Sequence, residues 1–71
     1  MTRTQVNNVR VSRLCAELLS ALGGEAAVWL RGPLYRCYVE LDAVLDGQAK
    51  PANLSSLCSR AEALLALVDY Q

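Results

Sequence analysis

Leu34-Tyr35-Arg36-Cys37-Tyr38-Val39-Glu40-Leu41-Asp42-Ala43-Val44-Leu45 can be read at two periods, and the choice between them decides the fold. Leu34, Cys37, Tyr38, Leu41, Val44 and Leu45 recur at three- and four-residue steps, the spacing of one helix face. Tyr35, Cys37, Val39 and Leu41 also alternate with Arg36, Tyr38, Glu40 and Asp42, which is strand periodicity in a segment rich in aromatic and β-branched residues. That second reading would pair residues 27–31 with this segment in a β-hairpin turning at Gly32-Pro33. The helical period persists through Val44 and Leu45, whereas the alternation ends at Asp42. Length therefore favours the helix and leaves the hairpin as the alternative. A proline inside a helix costs ~3 kcal/mol, but Pro33 suits a first helical position, where the missing N–H has no partner in any case. The expected elements are a short turn over 25–31, a break at Gly32-Pro33 and a helix over 33–46.

Working outward, Val11, Leu14, Cys15, Leu18, Leu19 and Leu22 hold helical spacing upstream and predict a helix over 5–22. Thr4, Asn7 or Asn8 would cap its start. Gly23-Gly24 would end it, since glycine takes the left-handed conformation after a helix without a Cβ penalty. Downstream of the loop Gly47-Gln48-Ala49-Lys50-Pro51, residues Leu54, Leu57, Cys58, Ala61, Leu64, Leu65 and Val68 predict a helix over 54–69, with Asn53 as its N-cap. Short loops make sequential helices antiparallel, so the expected fold class is all-α, a small helical hairpin or three-helix bundle in a single domain, 1–71.

Composition adds a constraint. Hydrophobic residues make up 54% of the 71, against about 45–50% for average domains. So short a chain buries only about 60% of the surface its unfolded form exposes. The surplus predicts an apolar face completed by homodimerisation. Seven basic and seven acidic residues cancel to zero net charge, which removes the footprint of a general nucleic-acid binder or a basic membrane-surface peptide. Residues Met1 to Asn8 form no hydrophobic export segment, and no stretch nears ~18 uninterrupted apolar residues. With three widely spaced cysteines in apolar surroundings, this predicts a cytoplasmic chain in a reducing compartment.

Candidate chemistry is sparse. The chain contains no histidine, so the commonest catalytic base and metal ligand is absent. Cys15, Cys37 and Cys58 fall on predicted core faces and read as small buried hydrophobes, unbonded and functionally silent. They also lack the C-x-x-C spacing of a zinc site. Asp42 and Asp46 lie one turn apart on the outer helix face, where a solvated acidic strip meeting arginines of a partner is a better reading than a metal site. Neither Gly23-Gly24 nor Gly32-Pro33 follows a strand or carries the lysine and hydroxyl of a phosphate loop. No enzyme activity, cofactor or metal is therefore expected. A helix-turn-helix around Gly23-Gly24 would have to present Ala26, Ala27, Val28, Trp29 and Leu30 to base edges, which offers almost no hydrogen-bonding groups.

The most informative signal is aromatic. Trp29, Tyr35 and Tyr38 cluster near Gly32-Pro33, interleaved with Arg31 and Arg36, and Trp, Tyr and Arg are the residue types enriched where protein interfaces carry their binding energy. Trp29, Arg31, Tyr35, Arg36, Val39 and Asp42 form the candidate protein interface. The expected function is a small non-catalytic interaction module whose partner is another protein, of the kind a phage or mobile element uses to inhibit a host protein. A secretion-type chaperone or adaptor, or a small helix-turn-helix DNA-binding regulator, is the alternative.

Overall fold

The computed structural model describes residues 3–24, 26–48 and 53–70, with side chains described within 8–69. Three α-helices, α1 (Arg3–Gly23), α2 (Val28–Leu45) and α3 (Leu54–Tyr70), pack each against the other two, with α1 and α2 in the most extensive contact. There are no strands among the described residues, so the helical period of the middle stretch prevails and the hairpin alternative is excluded.

All three helices contribute to one apolar core. Val11, Leu14 and Leu18 of α1, Leu30, Leu34 and Leu41 of α2 and Cys58 and Ala61 of α3 are nearly or completely removed from solvent. Leu22, Tyr38, Leu54, Leu64 and Leu65 pack around this cluster, half-buried. The side chains in the core are aliphatic or thiol, and no polar side chain is buried among the described residues. Two expected core residues depart from the pattern: Leu45, the last residue of α2, is exposed, and Leu19 is exposed with Ala21 buried in its stead. At 100° per residue Leu19 lies well round the helix from the mean direction of Val11, Leu14 and Leu18, whereas Ala21 falls closer to it.

The middle helix corrects the expected break. α2 begins at Val28 and runs through Gly32 and Pro33, which becomes its sixth residue, so the segment expected as a turn over 25–31 is helical from Val28 onward. Pro33 supplies no N–H to the Trp29 carbonyl, a loss of ~3 kcal/mol. Against it, Leu30 falls one turn before Leu34 in the buried stripe, and burying a leucine returns about 1.5–3 kcal/mol. Ala26 is buried as well. Gly32 eases the remaining strain, because the residue before a proline is driven from the helical region largely by its Cβ, and glycine has none.

Helix ends also differ from expectation. Thr4, Asn7 and Asn8 lie within α1, so its cap falls outside the described residues; extending a formed helix by a turn is far easier than nucleating one. Gly23 closes α1 and neither it nor Gly24 is left-handed. The left-handed glycine is Gly47, at φ 75°. Its N–H donates to the Val44 carbonyl (3.1 Å) and that of Gln48 to the Ala43 carbonyl (2.9 Å), the paired bonds of a Schellman ending. The loop residues Ala49, Lys50 and Pro51 lie outside the described residues, as does Glu25. At α3 the Asn53 carbonyl accepts the Leu57 N–H at 3.1 Å, as the residue in the N-cap position does.

Candidate functional site

Burying Leu30, Leu34, Cys37 and Leu41 commits one side of α2 to the core. The opposite side then carries Val28, Gly32, Tyr35 and Val39 at steps of four, three and four residues, a single helical face. It is unusually apolar for a surface: Val28 is 86% exposed, Trp29 67%, Tyr35 60% and Val39 45%. A Cβ placed on Gly32 would meet no other atom within 4 Å, so the face has an open dimple between Val28 and Tyr35.

Five of the six candidate interface residues surround or form this face. Tyr35 and Val39 lie on it, Trp29 and Arg36 border one side, and the half-buried Asp42 borders the other. Arg31, exposed at the same side as Asp42, is engaged within the bundle, where its Nη1 donates to the Leu22 carbonyl of α1 at 3.0 Å. A guanidinium on the last carbonyls of a helix satisfies an acceptor that has no helical donor and complements the negative helix end. Val28 and Gly32 stand outside the interface expected from sequence, because Val28, Tyr35 and Val39 become one stripe only when the helix continues through Pro33.

A second cross-helix link is the ion pair between α1 and α3. Arg10 donates from Nε (3.1 Å) and Nη2 (2.8 Å) to Glu62 Oε1. The hydrogen bond to Glu62 holds the Arg10 guanidinium above its ordinary pKa. Both side chains remain partly exposed to solvent, so the pair orients the helices and contributes little to stability.

Two concavities lie between helices among the described residues. A shallow groove of about 620 Å³ lies between the C-terminal ends of α1 and α3, with Glu17, Ser20 and Asp69 at its polar edge. A smaller cleft of about 170 Å³ between α2 and α3 has Arg36, Glu40 and Arg60 around Cys37. Among the described residues no three His, Cys, Asp or Glu side chains come together as a metal-binding group.

Cys15, Cys37 and Cys58 are free thiols, all buried. Burial pushes each thiol pKa up; at Cys37 it outweighs the opposing pull of Arg60, and at Cys58 that of Arg10. Nucleophilic thiols need the reverse shift. A stability consequence follows. The folded thiols hold protons that the unfolded thiols release above about pH 8.5, so stability is full below that pH and declines as pH rises toward the folded values. Urea midpoints under reducing conditions should be level from about pH 6 to 8 and lower at about pH 9.5. A midpoint unchanged at the alkaline end would mean that the thiols ionise as readily folded as unfolded.

No helix among the described residues is long and apolar enough to cross a membrane. Comparison with protein-family models, with curated proteins and with solved structures finds no match.

Proposed function

We propose that this chain is a non-catalytic protein-interaction module, cytoplasmic in setting, that works through the outward face of α2. The observation that carries the reading is the concentration of Val28, Trp29, Tyr35 and Val39 in solvent on one helix. Scattered single apolar residues are normal on a surface, whereas a contiguous patch rimmed by charge marks an association site. Trp and Tyr remove a large area from water with few rotatable bonds, and Arg36 beside them adds a planar donor fork. A chain that acts by coverage needs a sticky face and no chemistry, as a phage or mobile-element inhibitor of a host protein would.

A DNA-binding role finds less support. Arg31 donates to the Leu22 carbonyl, and the basic residues within α2, Arg31 and Arg36, lie about 140° apart around the helix, so α2 has no basic stripe of the kind that phosphate contacts require.

The test compares wild type with Trp29→Ala and Tyr35→Ala. Both variants should keep the helical circular dichroism spectrum, because neither ring is buried within the bundle. Each should weaken capture of the native partner by roughly 30-fold or more, the scale of an interface hot spot. Unfolding of either variant would assign the rings to the core, and unaltered capture by both would remove α2 from the interface.

A further inference from the structure

The outward face of α2 is complementary to itself, and we propose that its partner is a second copy of this chain, packed antiparallel across a two-fold axis through residues 33 and 34. This inference rests on the reading of that face as the interaction surface. Three features of the face fit the arrangement together.

The first is shape. A two-fold axis midway between residues 33 and 34 sets residue 28 opposite 39 and residue 32 opposite 35. Val28 then meets Val39 of the second copy, and Tyr35 lies over Gly32, whose missing side chain leaves a gap in the row. Each contact occurs twice, as an isologous interface demands. A parallel pairing would set Tyr35 against Tyr35 and leave the two dimples facing each other unfilled.

The second is charge. Basic residues Arg31 and Arg36 occupy the first half of α2, while Glu40, Asp42 and Asp46 occupy the second half and its cap. In the antiparallel register Arg31 comes level with Arg36 of the second copy but on the opposite flank, and Glu40 comes level with residue 27, at the start of the partner helix. That helix end carries positive partial charge and no acidic residue of its own in the first turn. On the flank, Trp29 and Arg36 of the second copy stand on the same side of the pair, two residues or ~3 Å apart along the axis, within reach of a contact between ring face and guanidinium.

The third is area. Val28, Trp29, Tyr35 and Val39 expose together on the order of 500 Å² of largely apolar surface, as aromatic side chains of 150–250 Å² imply. With the charged flanks this approaches the ~800 Å² per partner of a stable small interface.

Sedimentation equilibrium and cysteine cross-linking test the proposal. The wild-type chain should sediment as a dimer at micromolar concentration, and Tyr35→Glu and Val39→Lys should each dissociate at least about tenfold more readily while keeping the helical spectrum. The double variant Val28→Cys, Val39→Cys should form a covalent dimer on mild oxidation. Neither single variant should do so, because in this register like positions are eleven residues, ~16 Å, apart, beyond the ~7 Å that a disulfide spans between Cα atoms. Cross-linking of Val28→Cys alone would indicate a parallel pair and overturn the proposal, as would a dimer insensitive to both face variants. A wild-type monomer at about 200 μM would also overturn it, since a stable interface of this size holds together well below that concentration. In that event, continued loss of partner capture by Trp29→Ala and Tyr35→Ala would leave the face assigned to a different protein, whereas unaltered capture would dismiss the face altogether.

Discussion

Leu34→Ala should abolish the cooperative fold or bring it to the edge of unfolding. Leu34 is completely buried where the middle helix packs into the core, and truncating such a leucine costs about 2–5 kcal/mol because the neighbours collapse only partly into the space. A chain of this length has only about 4–10 kcal/mol in total. The matched control is Leu19→Ala, the same chemical change at a side chain that is 55% exposed, where a loss under about 1 kcal/mol is expected. Urea denaturation followed by circular dichroism measures both. Similar midpoints for the two variants would contradict the placement of Leu34 inside and Leu19 outside.

A contrast of sign is expected at two glycines. Gly47 ends α2 with a left-handed backbone at φ 75°, where a Cβ costs roughly 1–2 kcal/mol. Part of that is returned by the reduced freedom of the unfolded chain, about 0.4–1 kcal/mol. Gly47→Ala should therefore destabilise by about 1 kcal/mol. Gly23, at the end of α1, has an ordinary helical backbone and no atom within 4 Å of its missing Cβ. Gly23→Ala should stabilise by about 0.4–1 kcal/mol for the same unfolded-state reason. Thermal melts of the two variants should move in opposite directions from wild type, and parallel movement would argue against the left-handed ending at Gly47.

The apolar stripes of α1 and α3 are readable at three- and four-residue spacing because those helices bury one face and leave the other in water. The middle helix is harder. Its Leu34, Cys37 and Leu41 carry the same period, but Leu30 belongs to that stripe as well, and Gly32-Pro33 conceals the connection. Local rules give the proline its cost, whereas the compensation comes from burying Leu30 and Ala26 against other helices, which no local window contains. The consequence reaches the candidate site. Trp29, Tyr35 and Val39 are legible from residue type, while Val28 and the dimple at Gly32 emerge only from the uninterrupted helix. The glycine ending is similarly ambiguous, since Gly23-Gly24 and Gly47 are equal candidates by composition and only backbone geometry distinguishes them. Arg31 shows the reverse case: its residue type fits an interface, yet its guanidinium is held at the end of α1.

The placement of the single tryptophan also separates two optical signals. Trp29 is the chain's only indole, and it stands in solvent on α2, away from an aliphatic core. Its fluorescence in the isolated subunit should resemble that of indole in water and change little when the helices melt, a transition that far-ultraviolet ellipticity follows directly. Coverage of α2 would transfer the ring to an apolar environment and shift its emission to the blue with the helical signal constant. The protein thus carries a native dye for docking that is nearly blind to unfolding, so the two equilibria can be titrated independently in one unlabelled sample.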